Sequence, residues 1–415
     1  MPLGTLTTLS AILFRDYDKV VRDNTFSETV LLNNLKKNVG VIPMANNNFY
    51  VKATSSGFGG WDADNGAAGA DLQLGDVTYA EMTVPIVFTW GGYQLTESVL
   101  RSADGDAGAV VDIAEDYAKH VQQSLRRNLN RMFLNRGGTV ADNAVIATVN
   151  GASSGTTVTV DDGAGSDSSG PGLGTQFMYV GQGITIGTDA EQPATADYAT
   201  ISSIDSRTQI TIDASETIAD SDNIVIARSA AANNDNNEMS GFRNINLTTG
   251  TFQNVDRSTN YWWHSSSDTT AEALDEGDLI AQFNQAKRTG NPNAVIMGEI
   301  LYRKYASLLT SMKQAEVDAA RLEGGFRGLA LAVGGPGTVV SLDWDCPYGD
   351  VNIASLSSQY ITIGELATGW FGAKQGLPLF QKTNLRGSYW AAYEYFGNLV
   401  VRNASAHSGL RNKTA

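Results

Sequence analysis

One stripe of residues limits the architectures open to this chain. Val110, Ala114, Tyr117, Val121, Leu125, Asn128 and Met132 step by fours and threes, the spacing of a single face of an α-helix. Over residues 107–136 such a helix is about 45 Å long at 1.5 Å per residue. That length predicts a spine crossing a whole domain, and Gly137 with Gly138 supplies a C-terminal stop. Asp112, Glu115 and Asp116 stand in its first turns, while Arg126, Arg127, Arg131 and Arg136 stand toward its end, as the helix dipole favours. Glu115 with Lys119, and Asp116 with His120, fall in helix-pair register. A solvated, dipole-matched face therefore explains the arginines more simply than a phosphate grip. The whole chain agrees, since 29 lysines plus arginines against 44 aspartates plus glutamates leave a net charge of -15, which repels a polyanion.

The remainder arranges itself around that helix. With 415 residues and 42% hydrophobic composition the chain has enough for two or three packed units. Residues 1–45 are rich in valine and leucine but too short to close a core, so they read as an arm packed on something else. Residues 46–75 place Phe58 and Trp61 among glycine, alanine and aspartate, a loop that needs a neighbour to order it. Next, Met82, Val84, Ile86, Phe88 and Trp90 alternate with their neighbours and predict one strand, paired with residues 49–54 in a long β-arm. Pro85 makes it an edge strand, because proline donates nothing to a ladder. From 139 to 238, runs such as TTVTV, FMYVGQGITIG, TQITID and NIVIA, separated by Asp, Ser and Gly turns, predict an inserted barrel or sandwich. Its end, AAANNDNNEMSG, reads as a polar linker with no reason to pack. Helices follow near 276–289, capped by Asp275, and near 299–312, with Leu301, Tyr305, Leu308 and Met312 on one face. GSYWAAYEYFGNLVVRN is aromatic and β-branched, hence strand-like. The class is α+β.

No catalytic constellation emerges. Ser153 in GASSG lacks the helix that a nucleophile elbow requires, and nothing selects His264 or His407 as its base. DSDN at 220–223 lacks the later glycine and glutamate of a calcium loop and reads as a turn. His120, His264, His407 and Cys346 are scattered, so no metal or cofactor is expected, and the lone cysteine excludes an internal disulfide. GPGLG and GGPG lack the lysine and the strand–helix setting of nucleotide loops. YWWH at 261–264 offers flat rings for a sugar or base, though buried packing is the simpler use. The start lacks the charge of a secretory signal and no run is apolar enough to span a bilayer, so a soluble chain made in the cytoplasm is expected, with no membrane partner.

The order of these parts, with GFRNINLTTGTFQNVDRSTNYWW, DLIAQFNQAKRTGNPNAVIMGEILYRKYASLL and GNLVVRNASAHSGLRN, resembles the major capsid proteins of tailed bacteriophages, a fold shared with encapsulins and the floor domain of the herpesvirus capsid. The resemblance implies an N-terminal arm (1–45), an E-loop β-hairpin (46–95), a P-domain spine helix (96–138), an inserted β-barrel-like domain (139–238), an A-domain with the segment leading into it (239–375), and P-domain C-terminal strands and tail (376–415). It implies a structural protein and not an enzyme. Copies would form hexamers and pentamers of an icosahedral shell around double-stranded DNA bound without sequence preference, with a portal and scaffolding or decoration proteins as partners. Phe58, Trp61, Lys52 and Trp90 become the candidate assembly contacts. Some members crosslink lysine to asparagine; Lys52 is the one lysine on the arm, and nothing in its surroundings assigns it that role. With no long helical stretch before the arm, no fused scaffolding domain is expected. The expected location is the virion, after assembly in host cytoplasm. Two other readings stand beside this one: an encapsulin-like nanocompartment, and a secreted β-rich adhesin or carbohydrate-binding enzyme.

Overall fold

The computed structural model describes residues 29–37, 42–44, 48–56, 78–97, 111–135, 145–162, 173–187, 198–229, 232–233, 238–311, 320–321, 327–330, 338–371, 381–382 and 387–414. The stripe is a helix, described over Val111–Leu134, about 36 Å at 1.5 Å per residue. Leu125, Leu129, Met132, Phe133 and Leu134 are its buried apolar side chains among the described residues. Leu129 takes the place expected of Asn128, whose side chain instead donates back to the Ser124 carbonyl at 3.0 Å. From Leu129 to Asn135 every residue is buried, because this end of the helix runs into the interior. Gly241 lies against it so closely that a Cβ there would come 2.0 Å from the Asn135 carbonyl oxygen.

The strand expected across residues 81–90 is two strands in two sheets. Thr78–Pro85 pairs antiparallel with Asn48–Ser56, which also pairs with Ile42–Met44. Pro85 sits on the edge strand, as its missing N–H requires. The ladder then breaks at Ile86, and Val87–Thr96 joins the long strand Ser388–Val401 instead. Side-chain parity survives the break, but the surroundings do not: Met82, Val84 and Ile86 are buried, whereas Phe88 and Trp90 are exposed.

This corrects the expectation that the arm lacks a partner in its own chain. Phe49, Met82 and Val84, at the base of the hairpin, belong to the main core with Val30, Leu31, Phe133, Phe242, Trp263 and Val400. An apolar face of alternating residues must be covered, and here the same chain covers it. The tip, with Phe58 and Trp61, lies outside the described residues.

Among the described residues three larger sheets follow with their helices, beside two short two-stranded pairings, Thr251–Phe252 with Val255–Asp256 and Glu272–Ala273 with Lys413–Thr414. In a four-stranded sheet, Ser388–Val401 is central, with Ile361–Trp370 and Gln381–Lys382 on one side and Val87–Thr96 on the other. In a seven-stranded mixed sheet the order is Ser266–Asp268, Ser408–Leu410, Val351–Ala354, Ala294–Met297, Val339–Leu342, Arg327–Ala330 and Ala320–Arg321. Val295 and Met297 face the helices Glu276–Lys287 and Glu299–Ser311, while Ala294 and Ile296 face the main core. Burial on both faces explains why AVIM reads as an unbroken apolar run. Asp275 caps the first of those helices through the Gly277 amide, as expected.

Between the long helix and this body lies a barrel. Six of its strands follow one another around a ring in the order Val145–Thr148, Asn223–Ser229, Gly183–Gly187, Tyr198–Ser206, Gln209–Ile218 and Ser153–Thr159. The Val149–Val160 bridge closes it. Ile146, Val158, Ile184, Ile201, Ile210 and Ile224 fill its interior, the alternate-residue packing that a small barrel needs.

Candidate assembly surfaces

Two kinds of residue stand out: aromatic rings left uncovered and charged groups sealed inside. The uncovered rings lie on the outer face of the four-stranded sheet. Register sets Phe88 opposite Phe396 and Trp90 opposite Glu394. Phe88 meets Phe396 edge-on at 4.7 Å, Trp90 meets Phe396 at 5.1 Å and Phe371 at 6.1 Å, and Phe371 meets Trp390 at 5.3 Å. Phe88 remains 40% exposed and Trp90 47% exposed, while Phe371, Trp390 and Phe396 are half-buried. The inner face of the same sheet is closed by the long helix. There Tyr93 stacks on Tyr117 at 5.7 Å, and Gly91 admits Val121, whose Cγ1 would stand 3.2 Å from an added Cβ. Rings of this size contribute most when a partner removes them from water.

Of the four residues expected to make assembly contacts, Trp90 thus lies on an uncovered face. Lys52 lies in the strand Asn48–Ser56, at the irregularity between the Val51–Met82 and Thr54–Ala80 pairs. Phe58 and Trp61 are outside the described residues.

Of the helix arginines Arg126 is exposed, as a solvated face expects, and Arg136 lies outside the described residues, but Arg127 and Arg131 turn inward. Arg131 is fully buried and donates through both terminal nitrogens to Glu238, at 3.1 and 2.5 Å. Arg127 lies 3.4 Å from Asp345, and both guanidiniums sit over the Phe177 ring of the barrel, at 5.2 and 5.6 Å. Arg126 donates to Asn33. These arginines tie the long helix to the barrel, the first described helix Val30–Asn34 and the loop at Asp345. The apparent linker before residue 241 packs for the same reason: Glu238, Met239 and Ser240 are buried because Arg131 needs its counter-ion. Replacing Arg131 with Met strands a buried carboxylate and is expected to cost about 3–5 kcal/mol. Chemical denaturation of Arg131→Met, Glu238→Gln and the double variant checks this, with most of the loss recovered in the double variant.

Other pairs seal the C-terminal segment. Asp350 joins Arg243 at 2.7 Å and Arg411 at 3.1 Å. Asp268, Glu272 and Asp278 are, among the described residues, the acidic group spaced to hold a metal ion. Its centre is filled by Lys413, whose fully enclosed Nζ lies 2.8, 2.5 and 3.2 Å from the three carboxylates. Burial alone would lower the lysine, but the three donated hydrogen bonds outweigh it and hold it above its ordinary range. The bond from Lys413 in turn brings Asp268 down to about 2.

The residues weighed for catalysis are all spent structurally. The Ser153 hydroxyl begins a barrel strand and donates to the Thr157 carbonyl at 2.7 Å. His407 is completely enclosed, its Nδ1 accepting from the Ser355 amide at 3.4 Å, and burial lowers it to about 3. His264 Nε2 lies 2.5 Å from the Arg257 carbonyl oxygen. In DSDN, Asp222 accepts from the Ala219 amide at 2.8 Å, as in an ordinary turn. YWWH divides: Trp263 is buried and donates to the Phe252 carbonyl at 3.2 Å, whereas Tyr261 is 84% exposed, contrary to the buried packing expected of it. Among the described residues no helix is long and apolar enough to cross a membrane.

No family model matches the chain, and no curated protein matches its sequence. Its likeness is to solved structures. The capsid asymmetric unit of cyanophage A-1(L) aligns over 99% of this chain and 100% of that one, with 13% identity and a TM-score of 0.50. The SrpI encapsulin of Synechococcus elongatus aligns over 98% and 95%, with 8% identity and a TM-score of 0.49. The capsid of the Myoviridae phage XM1 aligns over 97% of each chain, with 9% identity and a TM-score of 0.44. At such identities the shared property is the path of the backbone, and by that path the chain has the fold of phage major capsid proteins.

Proposed function

We propose that this chain is a major capsid protein whose copies build an icosahedral shell around double-stranded phage DNA. The observation that carries the reading is the end-to-end likeness to the cyanophage capsid subunit, which leaves no large part of either chain unmatched. Two features of the molecule support it. Phe88 and Trp90, beside the half-buried rings of Phe371, Trp390 and Phe396, form a surface that a lone subunit leaves partly wet and a neighbour would bury. The net charge of -15, with Arg127 and Arg131 of the long helix spent on internal pairs, suits a wall that DNA can be driven against without adhering.

In this reading residues 1–45 form an arm, and the hairpin of residues 46–95, rooted in its own subunit by Phe49, Met82 and Val84, extends its far end over a neighbouring subunit, where Lys52, Phe58 and Trp61 make contacts. The helix region 96–138 and the strands and tail of 376–415 form the peripheral domain, 239–375 the axial domain, and 139–238 a surface addition. Trp90 belongs to the receiving face. Hexamers and pentamers, a portal and separate scaffolding or decoration proteins complete the particle, which assembles in host cytoplasm. Purification of particles from cells, followed by nuclease protection and mass spectrometry, tests what is enclosed. Protected double-stranded DNA is the expected result. A single enriched protein cargo without DNA would instead make the particle an encapsulin-like compartment.

A further inference from the structure

Asp343 and Asp345 are both fully buried, on the loop that leaves the strand Val339–Leu342. One amide bridges them: Asn130 Nδ2 of the long helix lies 3.0 and 3.2 Å from the two Asp343 oxygens and 2.9 Å from Asp345 Oδ2. Asp343 also accepts from the Val30 amide at 3.2 Å and the Asp345 amide at 3.0 Å. Gln176 of the barrel donates to Asp345 Oδ1 at 3.0 Å. The pair is therefore the point where the first described helix, the long helix, the barrel and the mixed sheet meet.

The two carboxylates are not served alike. Arg127 faces Asp345 from the long helix at 3.4 Å and shares its guanidinium with the Phe177 ring. The donors to Asp343 are neutral amides. Farther along the loop, beyond the buried Cys346 thiol, Asp350 already has Arg243 and Arg411 as partners. Among the described residues Asp343 thus meets neutral amides and the charge of Asp345, and a proton on the pair relieves that arrangement most simply.

We propose that Asp343 and Asp345 form a proton-gated joint: one proton on the pair keeps the Val30 helix and the Gln176 loop of the barrel docked on the long helix, and ionisation of both carboxylates loosens that docking. Burial first, and the Asp345 charge second, push the Asp343 carboxyl up to about 7, against the pull of its hydrogen bonds from Asp345, Asn130 and Val30. An acid raised in the docked form holds a proton that the opened form has lost. Docking therefore weakens as pH rises from about 4, the ordinary carboxylate value, and levels off above the docked-state value. Buried His407 works in the opposite sense on the whole fold, since its lowered value costs stability as pH falls below its ordinary range. Global melting mixes the two, so the joint must be read locally. It is a property of one chain and does not depend on shell formation.

Hydrogen exchange of the full-length protein, corrected for intrinsic rates and followed from pH 5 to pH 8, reads it. Amides of residues 30–35 and 173–178 are expected to lose protection by about tenfold or more, with most of the change complete near neutrality. In Asp343→Asn the corrected profile should be flat. A flat profile in the wild-type protein, or an unchanged slope in Asp343→Asn, overturns the joint. Infrared spectroscopy provides a measurement that needs no Asp343 variant. The protonated-carboxyl band of the wild-type protein should titrate near neutral pH, and its midpoint should fall in Asp345→Asn. Absence of that band, or an unmoved midpoint, also overturns it.

Discussion

Removal of residues 408–415 is expected to leave a chain that does not fold. Ser408–Leu410 is an interior strand of the mixed sheet, parallel to Ser266–Asp268 on one side and antiparallel to Val351–Ile353 on the other. Its loss opens two ladders at once and exposes the core around the fully buried Leu410. It also removes Arg411 from Asp350 and Lys413 from its three carboxylates. The sum exceeds the roughly 5–15 kcal/mol that holds a domain together. Expression with solubility and circular dichroism checks the outcome, and a soluble truncated chain with native secondary structure would contradict it. Lys413→Met isolates the last element. Because its carboxylates are partly exposed, about 2–4 kcal/mol is expected, at the low end for breaking an enclosed ion pair. The sign of the pH dependence follows from the two shifts. Asp268 is lowered, so its contribution is present above about 4 and lost as pH falls toward 2; Lys413 is raised, so its contribution is present below about 10 and lost as pH rises beyond that. Lys413→Met should therefore differ most from the wild type between those limits and converge with it at acid pH.

Trp90→Glu is expected to abolish assembly while leaving the subunit folded. The ring is half exposed in the single chain and meets the rings of Phe371 and Phe396, so the fold should lose about 1 kcal/mol or less. At an interface the same ring would be fully covered, a gain of about 1.5–3 kcal/mol per copy, which the glutamate replaces with a desolvation cost. Repetition around a closed shell multiplies that difference. Size-exclusion chromatography with thermal melting separates the effects: subunits with a near-native melting temperature and no large particles are expected. Intact shells from Trp90→Glu, or from Phe88→Glu with Trp90→Glu, would remove this face from the assembly account.

Elements whose signal is periodic were legible in the residues alone. The long helix, the capped helix at 276 and the closing aromatic strand lie where their spacing placed them. What failed was long-range pairing. Alternation from Met82 to Trp90 does not say that the partner strand changes at Pro85, because parity is the same in both sheets. An arginine four residues from the next shows a helix face, but not that Glu238, more than a hundred positions on, turns that face inward. The tail strand SGL has too few apolar residues to announce itself; its burial comes from neighbours on both sides. The proposed assembly face was legible only in part. Trp90 stood among the candidate contacts, whereas Phe371, Trp390 and Phe396 come to lie beside it only through strand register.

Particle size is the most direct measurement of the central claim. Purified full-length protein, followed by sedimentation velocity and negative-stain microscopy across salt and concentration, should give uniform closed shells in equilibrium with subunits or small rings. A single monomeric species under every condition would contradict the account.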